Sequence, residues 1–477
     1  MFKNSLNKGL GLALICAAFT ACKLPEVAQR AENKNTPESF NSSQDTLNSG
    51  NIQWRKFFTD PNLVNLIDTA LKNNQELNIA LQDIEIAKNE IRAKKGELLP
   101  SVGYRVGAGV EKVGRYTSQG AGDASTEIEP GRETPDPLPD FGFGLQANWE
   151  ADIWHKLRNA KKAALSHYLS TVEGKNFVVT NLVAEVANSY YELLALDNQL
   201  DIVKKNIALQ SNALELMKIQ KQAMRVTELA VRKFQAEVWS SKSLEFEIQQ
   251  NITETENRIN FLLARYPQPI VRDQSSFTDL VPPAIQSGIP AQLLANRPDI
   301  KQAEYELAAS KLDVKVAKAQ FYPSLGISAS IGYQAFNPAY LLRTPESLLY
   351  SLAGDLAGPL INKNAIKAEY LTANAKQLQA VFEYEKSILN GYIEVANQLS
   401  NISNLQKSYD LKAKQVEALT QSIEISNDLF RATRADYFEV LMTQRDALQS
   451  KLELIETKKK QLNAVVNIYH SLGGGWN

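Results

Sequence analysis

The chain has 477 residues, 44% apolar and 22% charged, a globular composition with room for two or three domains and a sizeable core. Its 52 Lys plus Arg against 53 Asp plus Glu leave a formal charge of −1, so no global field argues for nucleic acid as a partner. Three histidines (His155, His167, His470) and two cysteines lie too far apart for a zinc set, and there is no Walker loop, HExxH or GxSxG; neither metal nor cofactor is expected.

Lys3 and Lys8 precede an apolar run from Leu10 to Phe19, too short to cross a bilayer and the right size for the core of an export signal. The run ends in Phe19-Thr20-Ala21-Cys22, which resembles a bacterial lipobox with Phe19 in place of the usual Leu. Cys16 is the poorer candidate, because Ile15 stands where a small residue is needed. Residues 1–21 are therefore read as a signal peptide and Cys22 as the lipidated first residue of the mature chain. A single thiol consumed by a thioether leaves no disulfide. Residues 22–53, rich in Asn, Ser, Thr and Glu, read as a polar tether, with ordered packing expected to begin near Trp54.

The remainder is an internal duplication, residues 54–290 and 291–477. Asn73-Asn74-Gln75-Glu76-Leu77 recurs as Asn296-Arg297-Pro298-Asp299-Ile300, and Pro100-Ser101 as Pro323-Ser324, both at an offset of 223. Glu185-Val186-Ala187-Asn188 recurs as Glu394-Val395-Ala396-Asn397 at an offset of 209. The offsets differ because residues 117–140 form a longer Gly-, Pro- and acid-rich connection than residues 334–347.

Each half reads in the same order. A helix of about 23 residues starts at Gln75 or Pro298 and ends at the Pro-Ser pair. Two alternating segments follow. In the second half Leu325, Ile327, Ala329, Ile331 and Tyr333 alternate with Ser and Gly; in the first, Phe141, Phe143, Leu145, Ala147, Trp149, Ala151 and Ile153 alternate with Gly, Gln, Asn, Glu and Asp. Val102 to Val110 supply another strand and Leu348 to Leu356 a weaker fourth. Long helical tracts come next: from Lys156 to Tyr266, and from Leu360 to Leu472, there is no proline, and Gly174 and Gly391 are the only glycines. Heptad seams run through both, at Leu193, Leu196, Leu200, Val203, Ile207, Leu214 and Met217 with a lapse at Gln210, and at Ile402, Leu405, Tyr409, Val416, Leu419 and Ile423 with a lapse at Lys412.

Lengths restrict the assembly. Outgoing helices of about 67 residues, broken near Ala223 and Ala432, reach ~100 Å; returning helices of about 37 residues and the 23-residue helices together come to nearly the same length. Four strands of ten to thirteen residues suit a bilayer crossing yet cannot close a barrel, and unclosed edges are forbidden in lipid. Three chains would supply twelve strands and a coaxial helical barrel.

With these elements in place the chain resembles the outer membrane efflux protein family, the TolC-like channels, and most closely its lipoprotein branch serving resistance-nodulation-division pumps. The resemblance rests on Trp54-Arg55-Lys56-Phe57-Phe58-Thr59-Asp60-Pro61, Asn296 to Ile300, Ala319-Gln320-Phe321-Tyr322-Pro323-Ser324-Leu325, Ala435-Asp436-Tyr437-Phe438-Glu439-Val440-Leu441 and Leu472-Gly473-Gly474-Gly475-Trp476, and covers residues 54 to 477. It implies a mainly α fold with β: a homotrimer whose twelve-stranded barrel sits in outer-membrane lipid and continues into a periplasmic coiled-coil barrel. It also implies passive export, driven by an inner-membrane pump through a periplasmic adaptor.

Two departures stand out. The helix breaks, which carry glycine in the family, read here Gln222-Ala223-Met224-Arg225-Val226-Thr227 and Arg431-Ala432-Thr433-Arg434-Ala435-Asp436, so other residues must make the turns. After Glu439-Val440-Leu441, where relatives carry a second acid, stands Met442. Adaptor contacts are expected at Arg225, Val226, Thr227 and Ala435, and a periplasmic gate at Asp436, Glu439 and Arg434, whose charges would repeat threefold around the duct. An adaptor lipoprotein would instead have one hairpin between short β domains, and an exported enzyme would need a nucleophile and base; the duplicated strand-and-hairpin order and the absence of such a constellation favour the duct.

Overall fold

A computed structural model describes residues 25–40, 46–273, 277–359, 361 and 363–476; the signal segment and Cys22 lie outside the described residues. The chain divides into two compact units that do not follow the repeats, since each draws on both halves. One comprises Met1–Ala31, Glu85–Tyr168 and Tyr305–Val381, the other Glu32–Ile84, Leu169–Glu304 and Phe382–Asn477.

The first unit holds a four-stranded antiparallel sheet in the order β1 (Ser101–Glu111), β2 (Leu138–Ala151), β3 (Ser324–Ala335) and β4 (Leu348–Ala357). Its register lines up the alternating residues of all four strands: Tyr104, Leu145, Ile331 and Tyr350 are direct cross-strand partners, as are Val106, Phe143, Tyr333 and Leu348. The intervening rows are polar or small apart from Leu138 and Leu349, for example Gly103, Gln146, Ser330 and Ser351. A slip of one residue in any strand would mix the two faces, so the period-2 pattern excludes odd shifts of register. The longer first connection carries a short helix, Ser118–Asp123, and a small hairpin pairing Glu127–Glu129 with Arg132–Glu133.

The long helices are α1 (Pro61–Asn73), α2 (Gln75–Gly96), α3 (Lys156–Gln222), α4 (Glu228–Leu262), α5 (Pro298–Ala319), α6 (Asn364–Arg431) and α7 (Tyr437–Ser471). The outgoing α3 and α6 have 67 and 68 residues, and the returning α4 and α7 have 35 each. In the second unit α1 packs Leu63, Ile67 and Ala70 against Val186, Tyr190 and Leu193 of α3 and Ile259 of α4, in a core that includes Trp54, Phe58 and Tyr469. The first heptad seam packs as expected: Val203, with Leu196, Leu200 and Ile207, meets Ile248 of α4 and Leu448 of α7. Its lapse, Gln210, is fully buried and accepts a hydrogen bond from the Ser241 hydroxyl at 2.8 Å. Lys412, the lapse in the second seam, pairs with Glu453 of α7 at 2.6 Å.

The duplication extends to backbone conformation. Met224 and Thr433 (φ 55° and 58°), and Ala264 and Gly473 (φ 52° and 85°), are left-handed residues at the ends of corresponding helices, each pair 209 positions apart.

Order does not begin at Trp54 as the composition suggested. Phe40 is buried and stacks on Tyr392 at 5.2 Å, the Asn33 amide donates to Glu385 at 3.0 Å, and Lys34 pairs with Glu304 at 2.7 Å. Asn48 and Ser49 are also buried, and a Cβ on Gly50 would come within 2.9 Å of Leu472. These residues are held by isolated contacts to distant helices, which leave no periodic signal in a polar segment.

Candidate functional site

The sheet presents two chemically distinct faces. One carries Val102, Tyr104, Val106 and Val110, then Phe141, Phe143, Leu145, Ala147 and Trp149, and the matching residues of β3 and β4, without a single charge. Tyr104, Val106 and Tyr350 are more than 75% exposed, so this apolar face is uncovered within one chain. The other face bears Ser, Gly, Gln and Asn together with Arg105, Glu111, Asp140, Glu150 and Asp355. Near the helical end of the sheet the indoles of Trp149 and Trp154 donate to the Leu98 and Pro323 carbonyls at 3.1 and 2.7 Å, and Trp154 stacks on Tyr322 at 4.8 Å. Amphipathic aromatic rings of this kind border the apolar band of a membrane barrel. β1 and β4 each pair on one side only, so both outer edges of the sheet are open.

The helix tips are built without glycine. After α3, the Met224 and Arg225 amides donate to the Lys221 and Gln220 carbonyls, and after α6 the Thr433 and Arg434 amides donate to the Phe430 and Leu429 carbonyls. Both are Schellman turns with a non-glycine residue in the left-handed position. Thr227 then caps α4 by accepting from the Ala230 amide at 3.4 Å. Asp436 caps α7 by accepting from the Phe438 and Glu439 amides at 2.6 and 3.2 Å.

Asp436 thus has a local structural role that its position near the break did not reveal. Glu439 lies in the first turn of α7, and Arg225, Arg434 and Glu439 are exposed. Among the described residues no ion pair joins either arginine to Asp436 or Glu439, so opposite-charge pairing within one chain is not seen. Val226 and Ala435 are half-buried; Val226 packs with Phe430 and Tyr437 against Leu214, Met217, Val231, Phe234 and Leu441.

Two contacts at the tips were not anticipated. Glu228 is held by Lys221 and by Arg232 at 2.8 Å, and the Lys221 hydrogen bond, with the charges of both cations, keeps its carboxyl below the ordinary carboxylate range. Lys233 lies 4.6 Å from the centre of the Phe438 ring, linking the two hairpins. An i, i+4 Glu-Arg pair is legible in sequence; a cross-hairpin cation–π contact is not. Among the described residues no group of three or more His, Cys, Asp or Glu is placed to hold a metal, and no helix is long and apolar enough to cross a membrane.

Residues 66–265 and 289–474 match the family described as outer membrane efflux protein, with the two matches falling in the two repeats. The chain belongs to the outer membrane efflux protein family. It is 29% identical over 424 residues to the pyoverdine export outer membrane protein OpmQ of Pseudomonas aeruginosa, covering 89% of this chain and 87% of that one. It is 26% identical over 470 residues to the cation efflux system protein CusC of Escherichia coli O6:H1, covering 97% of each. A crystal structure of CusC, 24% identical, superposes over 95% of this chain and all of that one with a TM-score of 0.81, which establishes the fold. This outer membrane efflux protein therefore shares its architecture with channel proteins along nearly its whole length, and its relatives are efflux components rather than enzymes.

Proposed function

We propose that three copies of this protein form a passive duct, closing twelve strands into an outer-membrane barrel and carrying cargo delivered by an inner-membrane pump of the resistance-nodulation-division type through a periplasmic adaptor. The observation that carries the reading is the register of the sheet: every valine, isoleucine and aromatic residue of the strands falls on one uncovered face, while both edge strands have an unpaired side. A hydrocarbon-facing sheet with open edges is closed only by further strands. Cys22 supplies a lipid anchor beside the barrel. Arg225, Val226, Thr227 and Ala435 meet the adaptor at the helix tips, where Asp436, Glu439 and Arg434 of neighbouring chains narrow the duct. The cargo of OpmQ or CusC does not transfer to this chain at identities of 29% and 26%. The test is reconstitution of the purified full chain in planar bilayers together with its mass in detergent. Discrete ion-conducting steps from a particle of three chains are expected; a monomer that never conducts would overturn the proposal.

A further inference from the structure

The four strands contain one basic residue, Arg105, and four acids, Glu111, Asp140, Glu150 and Asp355. All five lie on the polar face. The acids gather towards its two ends: Glu150 and Asp355 flank Gly326 in one cross-strand row, and Asp140 opposes Gly109 two residues before Glu111. Arg105 stands between them in the row Arg105, Gly144, Gly332 and Leu349, with Gly103 and Gly107 on either side along its own strand.

No hydrogen bond or ion pair holds the Arg105 guanidinium among the described residues. Asp140, the nearest acid on that face, is four positions along the ladder, ~14 Å away at 3.4 Å per residue. Along the backbone that separation leaves the two charges unpaired, so the acid offsets the arginine only in part. The Asp140 carboxylate is also occupied, accepting from Gln334 Nε2 at 2.9 and 2.8 Å. Beside the arginine lies a hollow of about 410 Å³, bordered by Arg105, Gly107, Asp140, Gly142, Gly144 and Gln334. The hollow is a fixed feature of the sheet: a Cβ on Gly144 would come within 2.6 Å of the Ile331 carbonyl oxygen, so β2 and β3 cannot approach this closely with a larger residue there.

We propose that Arg105 is a specificity-determining residue of the duct, a weak mid-height site for the carboxylate or phosphate groups of anionic cargo. The inference rests on the duct reading, which turns the polar face inward and repeats Arg105 threefold. A twelve-stranded barrel is ~24 Å across, from strand spacing and tilt, so three arginine side chains reach well into its lumen. Arginine offers a planar fork of donors that matches both anions. Its exposure to water keeps each contact weak, as a transit site requires if cargo is to leave. The acidic ends favour cations, and the central ring gives an anion its one attractive position along the barrel.

The experiment measures current through the full-length protein in planar bilayers with pyrophosphate as the probe. Unmodified protein should show concentration-dependent block, Arg105→Gln should raise the half-blocking concentration at least tenfold, and Arg105→Lys should retain most of the block. Asp140→Asn should lower the half-blocking concentration, which provides a second test of opposite sign should the glutamine variant fail to assemble. Equal block in the unmodified and Arg105→Gln channels, no block of the unmodified channel, or weaker block in Asp140→Asn would overturn the assignment. Inserted protein that conducts nothing would instead contradict the duct itself.

Discussion

The guanidinium of Arg297 donates to the main-chain oxygen of Ser471 at 2.8 Å, and Asn74, its counterpart 223 residues earlier, donates to the Leu262 oxygen at 3.0 Å. Both join the start of a 22-residue helix to the last turn of a returning helix. Asn74 does this with one amide, since its oxygen also accepts from the Leu77 amide at 3.0 Å and caps α2. Arginine cannot accept. In the second repeat Pro298 has no N–H to satisfy, and Asp299 brings negative charge to the positive helix end while pairing with Arg297 at 2.7 Å. Arg297 also reaches Glu394 at 2.7 Å, and Gly391 admits it, since a Cβ there would come within 3.2 Å of the arginine Cδ.

Arg297→Ala should therefore cost more than Asn74→Ala. Removing the buried arginine strands Asp299 and the Ser471 carbonyl, for a loss of ~2–4 kcal/mol, whereas losing the Asn74 cap and bridge should cost ~1–2 kcal/mol. Denaturant titration of the purified protein checks the order, and equal costs would show that the ion pairs add nothing.

The sheet register predicts a contrast between neighbours. Leu145→Arg places a charge on the apolar face near mid-strand and should cost ~2–4 kcal/mol of membrane assembly, while Gln146→Arg should assemble normally and alter conductance. Heat-resistant assembled protein in isolated outer membranes is the measurement; similar losses at both positions would contradict a lipid-facing row.

Met224 and Thr433 hold left-handed conformations that cost an L-residue roughly 1 kcal/mol relative to glycine. Met224→Gly should slow amide hydrogen exchange through the last turn of α3. Faster exchange would mean that contacts of the methionine side chain outweigh the backbone strain.

His167 sits between Asp313 at 3.8 Å and Glu306 at 3.1 Å, and these carboxylates, acting against partial burial, raise its pKa from the ordinary 6.5 to about 10. A raised folded-state pKa means that the stabilisation is complete below pH 6.5 and is lost as pH climbs towards 10. The imidazole is about half exposed, so the effect at neutral pH is ~0–1 kcal/mol after solvent screening. Thermal melts of His167→Gln should show a shallower decline between pH 6.5 and 10 than the unmodified protein, and parallel declines would rule out the coupling.

At the tips, charge and capping separate by substitution. Asp436→Asn with Glu439→Gln keeps the α7 cap and removes the acids, and should raise single-channel conductance while weakening block by multivalent cations. Asp436→Ala should in addition destabilise the first turn of α7 by ~1 kcal/mol. Unchanged conductance and block in the charge-neutral pair would place closure elsewhere, in apolar packing around Leu429 and Phe430.

The sequence by itself determined the strands, the long helices and the duplication, because period-2 and heptad patterns are local and the repeat offers two independent readings of each element. Leu145 and Ile331 are recognisable as apolar-face residues from neighbours two positions away. Only the tertiary structure decided what Asn74 and Arg297 do, since their partners Leu262 and Ser471 lie 188 and 174 residues distant and are main-chain oxygens with no sequence signature. The same holds for Phe40 against Tyr392, and for Met224 and Thr433 in turns that composition would assign to glycine. Arg105 was visible throughout as one arginine in an alternating segment. Its isolation on the polar face depends on which residues of three other strands lie beside it, and pairing between segments as far apart as Phe141 and Ala335 is set by the folded register.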